Sequence, residues 1–287
     1  MKIVDLSMTV EECATNPFSP EDVYFKVTPI VRWEEKGFVS NLVEMTVHAG
    51  THIDSPHHFV REKPGVEQIP LEPLIGEAIV LDLTFKGTAK ARIVPEDLDR
   101  AERTLSAQGI TIPRGTMLLL RTDWPKGHDT TDPSWWNDSP CLTKEAAEWL
   151  VAKEPSVLGY DFAQEEKGAD YQTAEEILGS GMRVHRTILP RVVCQIENLT
   201  NLDQIPSRVK IIALPAKWKT ESARPGWWLS STEEPRIGAP LWRAVEVSAA
   251  RLSERRRRAR GEGHLEGEEH GRDGLVVAGE HHQLDHP

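Results

Sequence analysis

The chain opens with short alternating stretches and moves to longer apolar runs. Lys2–Leu6 and Tyr24–Val31 read as strands. Val43, Met45 and Val47 alternate with Glu44, Thr46 and His48, a period of two that predicts a half-buried strand over Val39–His48. Glu77–Leu83 and Thr116–Thr122 are apolar nearly throughout, as strands covered on both faces are. Val157–Asp161 reads as a strand ending in a carboxylate, and Lys210–Pro215 as a last core strand. Two helices interrupt the series. Pro95–Gly109 has Pro at an early position, Leu98, Ala101 and Leu105 on one face, and Gly at its end. Lys144–Lys153 follows Thr143 as N-cap and turns Ala146, Ala147 and Leu150 inward. Strands and helices in this order predict an α/β chain, a single domain with a mixed sheet and flanking helices.

That pattern extends to about residue 250, so residues 1–250 are expected to form the domain. From Arg251 to Pro287 the material changes to mixed charge and many glycines, with Arg255–Arg258 in a run and no aromatic residue. Such a segment lacks the apolar surface that would offset ordering it and is expected to remain a disordered tail. The whole chain carries 34 basic and 45 acidic residues, a net charge of −11, which argues against general nucleic-acid binding. No apolar run reaches the ~18 residues of a membrane span. Met1–Leu6 runs directly into a strand pattern, unlike a signal peptide. Cys13, Cys141 and Cys194 are scattered and odd in number, which fits a reducing cytoplasm and offers no thiolate metal site.

The chemistry concentrates in one stretch, His48-Ala49-Gly50-Thr51-His52-Ile53-Asp54-Ser55-Pro56-His57-His58. Neutral imidazoles with a carboxylate suit a borderline divalent ion such as Zn²⁺ or Mn²⁺. His48 leaves the preceding strand on its polar parity, and Gly50 permits a turn. In an extended segment His52 and Asp54, two apart, point to one face. Pro56 ends any continuation as a central strand. His57 is assigned no role. Further on, His185 is followed twelve residues later by Glu197 in an Ile-Glu-Asn-Leu setting. Residues 123–140 form an irregular loop with Trp124, His128, Trp135 and Trp136. Such a loop lids a pocket for an aromatic ligand, or else its tryptophans pack it down or meet another subunit.

The eleven-residue stretch resembles, position for position, the H-x-G-T-H-x-D-x-P-x-H signature of the cyclase-like metal-dependent hydrolases, the family of bacterial kynurenine formamidases and isatin hydrolases. The resemblance continues at Gly159-Tyr160-Asp161, at His185 to Leu199 and at Gly238–Val245, and spans about residues 2–248. It implies the swivelling β/β/α arrangement, with His48, His52 and Asp54 as ligands of one or two zinc or manganese ions. By the same resemblance His185 would bind a second ion, Asp54 and Glu197 would bridge the two, and His58 would be the catalytic acid/base. The activity implied is hydrolysis of a carbon–nitrogen amide bond in a small aromatic substrate of the N-formylkynurenine type. Family formamidases place a Trp from the early loop on that ring. Here Phe18 is the nearest stand-in, which keeps cyclic amides such as isatin, lactones, and a biosynthetic cyclase or dehydratase reaction in view. Small-molecule substrate, no nucleic acid, no membrane, and a homo-oligomer (dimer or tetramer) complete the expectation.

Overall fold

A computed structural model describes residues 2–12, 24–128, 132–165 and 182–217, and the backbone of 223–231. Phe18, the stretch Gly238–Val245 and the tail 251–287 lie outside the described residues.

Among the described residues the main sheet has eight strands: β1 (Ile3–Asp5), β4 (His52–Asp54), β5 (Ile75–Asp82), β7 (Met117–Arg121), β9 (Val157–Tyr160), β10 (Cys194–Glu197), β11 (Arg208–Pro215) and β12 (Ala223–Ser231). Their order is β1-β12-β11-β5-β7-β9-β10-β4, and β12 pairs with β4 as well, so the sheet curls into a closed ring. At its centre β5, β7, β9 and β10 run parallel. β11, β12 and β4 join antiparallel. This is the expected mixed sheet. Two short pairs lie beside it: β2 (Phe25–Val31) with β3 (Ser40–Met45), and β6 (Arg92–Ile93) with β8 (Cys141–Leu142).

The apolar runs have two cores to serve. Ala78, Val80, Met117, Leu119, Val157, Ile196, Val209 and Ile211 fill the inside of the ring together with Val4, Leu6 and Ile53. The alternate residues Ile79, Leu81, Leu118, Leu120, Leu158 and Tyr160 face outward. They meet Leu98, Ala101 and Leu105 of α2 (Pro95–Ala107) and Ala146, Ala147 and Leu150 of α4 (Lys144–Ala152). Strands buried on both faces need no polar alternation, which is why their sequences show none. A side chain at Gly159 would crowd the inner packing. A Cβ there would stand 2.6 Å from Leu119 Cδ2 and 2.8 Å from Leu199 Cδ1.

The helix starts follow the sequence. Asp97 accepts from the Val94 backbone N–H at 3.0 Å, and Thr143 Oγ1 accepts from the Ala146 N–H at 3.2 Å. The two helices are tied together by Trp149 Nε1 donating to Asp99 Oδ1 at 2.8 Å and by Lys153 with Glu102 at 2.7 Å. Among the described residues the remaining α-helices are short: α1 (Trp33–Lys36), α3 (Ser134–Asn137) and α5 (Arg183–Ile188).

One expectation changes. The strand expected over Val39–His48 stops at Met45, and none of its residues is buried. A turn follows, closed by the Ala49 N–H donating to Thr46 O at 3.2 Å, so His48 sits on a turn rather than on a strand. The period-two pattern was real, but the strand belongs to an exposed hairpin and not to the ring.

Candidate metal centre

The register of two strands builds the site. In the antiparallel pair β4–β10, Glu197 lies opposite His52 and Gln195 opposite Asp54. Directly opposed residues share a face. Ile53 and Ile196, one position along, point into the ring. The four polar side chains therefore stand together on the outer face, all buried.

The turn before β4 is clamped to the end of β10. Gly50 takes a positive φ of 61°, and its N–H donates to the Tyr24 hydroxyl at 2.8 Å. Asn198 Nδ2 donates to Gly50 O at 3.0 Å, and Thr51 Oγ1 donates to Asn198 O. His52 Nδ1 lies 2.9 Å from Gly50 O, which fixes the proton on that nitrogen and turns Nε2 toward the carboxylates.

Four donor atoms then converge. His48 Nδ1 is 3.1 Å from Asp54 Oδ1 and 3.2 Å from His52 Nε2. His52 Nε2 is 3.5 Å from Asp54 Oδ1 and 3.6 Å from Glu197 Oε2. Separations of about 3.3–3.4 Å are those of donors sharing one tetrahedral centre at ~2.0–2.1 Å, and His48, His52 and Asp54 come near them. Asp54 Oδ1 is buried and accepts no hydrogen bond among the described residues, despite ring nitrogens on two sides. An acceptor left open among converging donors fits a cation, and the imidazole–carboxylate set fits a borderline divalent one.

The opposite oxygens face a second group. His185 Nε2, on α5, is 3.0 Å from Glu197 Oε1 and 3.7 Å from Asp54 Oδ2. Gln195 Nε2 donates to Glu197 Oε1 at 2.7 Å and to Asp54 Oδ2 at 3.2 Å. Gln164 Nε2 also donates to Glu197 Oε1.

Charge follows from this crowding. Burial penalises the ionised Asp54 carboxyl, but His48, His58 and His185 around it hold it well below the usual carboxylate range. Burial likewise opposes a proton on His52, yet the adjacent Asp54 outweighs it and raises His52 to about 9. His185 is raised as well: burial opposes the charge, and Asp54, Glu165 and Glu197 overcome it. His58 behaves differently. Desolvation dominates there, helped by the positive character of His48 and His185, and lowers it to about 4. Its ring lies 4.6 Å from that of His48 and 6.0 Å from that of His185, centroid to centroid. His48, Asp54 and His58 also lie close enough together to hold an ion.

Residues 4–167 match the family model described as a putative cyclase. The chain belongs to this cyclase family. It is 21% identical over 217 residues to the kynurenine formamidase of Salinibacter ruber, covering 76% of this chain and 91% of that protein. It is 28% identical over 207 residues to the isatin hydrolase of Roseibium aggregatum, covering 66% of this chain and 73% of that protein. Among solved structures, isatin hydrolase A of Labrenzia aggregata superposes with a TM-score of 0.67 at 25% identity, over 80% of this chain and 93% of that one.

Within this cyclase-family fold, His48, His52, Asp54, His58, His185 and Glu197 come together. The tryptophans do not join them. Trp124, Trp135 and Trp136 are buried in the outer core, at 1%, 6% and 8% exposure, among Leu120, Phe162 and Ala163. Trp124 Nε1 donates to Trp135 O at 3.0 Å, and His128 stacks on the Trp124 ring. Of the two readings of this loop, a pocket lid or tryptophans that pack it down, this burial supports the second. His57 lies off the cluster, its Nδ1 3.0 Å from Lys63 O.

Gln164, Glu165 and Gln195 belong to the site and were not anticipated. Gln195 was detectable: it stands two before Glu197 on a strand and so shares its face. Gln164 and Glu165 follow Asp161 in an irregular segment, where no periodicity points them anywhere.

Proposed function

We propose that this chain is a divalent-metal-dependent hydrolase of carbon–nitrogen amide bonds in a small aromatic substrate. The observation that carries the reading is the convergence of His48, His52 and Asp54 within 3.1–3.5 Å, with Glu197 3.6 Å from His52 and His58 beside His48. Those four residues would hold the ion, with His185 against the far side of the two carboxylates. A bound zinc or manganese ion would supply Lewis-acid charge, polarising an amide carbonyl and making water acidic enough to attack near neutral pH. His58, neutral at every pH well above about 4, accepts the water proton on a ring nitrogen and returns it to the departing nitrogen. Buried Ile53 and Ile196 anchor β4 and β10, so His52, Asp54 and Glu197 stand on rigid strands, while His48 and His58 lie on the turns at either end of β4.

The relatives named kynurenine formamidase and isatin hydrolase support open-chain arylformamides or cyclic aryl amides as substrates. Both present an amide carbonyl next to an aromatic ring, so one site chemistry serves either. Purified protein should contain a divalent metal by elemental analysis and should hydrolyse N-formylkynurenine or isatin, followed by absorbance. Metal-free protein that binds neither zinc nor manganese, or metal-loaded protein inert toward both amides, would overturn the reading.

The reading includes a homo-oligomer, and the β2–β3 hairpin supports it. Ile30, Trp33, Phe38, Val39, Leu42 and Val43 are all exposed on that hairpin and its connection. A two-stranded hairpin is marginal alone in water, and apolar residues on it gain by being covered by a second copy. Among the described residues no helix is long and apolar enough to cross a membrane. Neither Cys141 nor Cys194 forms a disulfide, which suits the cytoplasmic setting proposed.

A further inference from the structure

Glu165 is almost fully buried at 1% exposure, far from the signature stretch in sequence. Each of its oxygens is engaged. Oε1 accepts from the Val184 N–H at 3.1 Å, and Oε2 accepts from the His185 N–H at 3.1 Å. Oε2 also stands 2.6 Å from His185 Nδ1. A carboxylate offers only acceptors, so the proton between them sits on the imidazole. That leaves Nε2 as the ring atom directed at Glu197 Oε1 and Asp54 Oδ2. Backbone and side chain of His185 are thus gripped by one residue, and the ring has no rotation that keeps both contacts. The preceding residue, Gln164, donates to Glu197. One short segment after β9 therefore sets both groups on the far side of the carboxylates.

We propose that Glu165 is a positioning residue of the metal centre: it locks the tautomer and direction of His185, and through it the two carboxylates that face an ion. This rests on the metal reading above but adds a role that the ligand set alone does not contain. A group that fixes the free nitrogen of a metal-site imidazole typically contributes 10–100-fold in metal affinity. The role is the same whether His185 ligates an ion or steadies Glu197 and Asp54 by hydrogen bonds.

The test compares full-length wild type, Glu165→Gln and Glu165→Ala. Zinc affinity is measured by chelator competition, and the His185 tautomer by ¹⁵N shifts of the imidazole at a pH high enough to leave the ring neutral. The metal-free melting temperature and far-ultraviolet circular dichroism monitor the fold. The expected result for Glu165→Ala is zinc affinity lower by about 10–100-fold, with His185 no longer held as the Nδ1–H form. Glu165→Gln keeps one carbonyl acceptor, and its zinc affinity should fall between the two. Should Glu165→Ala fail to fold, Glu165→Gln decides alone. A folded variant that binds zinc within about threefold of wild type and keeps the tautomer would overturn the inference. Wild type that binds no metal would instead sink the functional reading, so the two failures are separable.

Discussion

Metal binding at this centre should be strongly proton-linked, and the size of the effect can be worked from His52. In the ion-free protein Asp54 outweighs burial and raises His52 to about 9. Nε2 must lose its proton before that lone pair can take an ion. At pH 7 the gap is about two units, so affinity should be about 100-fold weaker at pH 7 than above pH 9. His185, also raised, adds a second proton where its ring nitrogen is taken. Between about pH 6 and 8.5 the logarithm of zinc affinity should rise with a slope between one and two, then flatten. The stability of the ion-free protein runs the other way. A group raised above its unfolded value stabilises fully below about 6.5 and loses that contribution as pH rises toward 9. The melting temperature of ion-free protein should therefore fall over that window, and zinc should restore it. Isothermal calorimetry in two buffers of different ionisation enthalpy counts the protons released. Zinc binding at pH 7 with no proton release, and affinity flat from pH 6 to 8, would refute the reasoning.

His52→Ala should lose metal and activity together, whereas His58→Ala should keep the metal and lose about 10²–10⁴ in rate, by elemental analysis beside steady-state kinetics. Because His58 charges only below about 4, a loss of wild-type activity between pH 6 and 7 should track metal content rather than His58. Trp135→Ala should lower unfolding free energy by about 3–5 kcal/mol in denaturant titrations, as a core loss does, with KM changing less than kcat. Gly159→Ala should cost about 1–3 kcal/mol, since Leu119 and Leu199 must shift inside the ring. Replacing Trp33 and Leu42 by Asp should shift size-exclusion mass to a smaller species if the hairpin covers a second copy, and should leave it unchanged if it does not.

The parts of this molecule legible in its sequence are those fixed by local rules. Glu77–Leu83 and Thr116–Thr122 announced buried strands because both of their faces meet a core. His52 and Asp54 announced a shared face because the period of a strand is two. The strand assigned up to His48 failed because alternation says that one face differs from the other, not what covers it. β3 has the pattern, yet it lies on a hairpin apart from the ring. The tryptophan loop stayed open between two readings for a related reason: composition records that aromatic area exists, while only packing decides whether it faces a ligand or the chain.

Glu197 marks the limit more sharply. Its distance in sequence from His52 carries no local signal, and only the family resemblance joined the two. In the structure the join is the register of β4 on β10. That register is strictly constrained, because a slip of one residue would turn His52 and Asp54 into the ring and Ile53 out of it. Burial of Ile53 and Ile196 thus selects the pairing that brings the carboxylates together. The same hydrophobic pattern that folds the sheet assembles the centre. Glu165 lies beyond even this reasoning, since it reaches His185 from an irregular segment, through contacts that no period of the chain encodes.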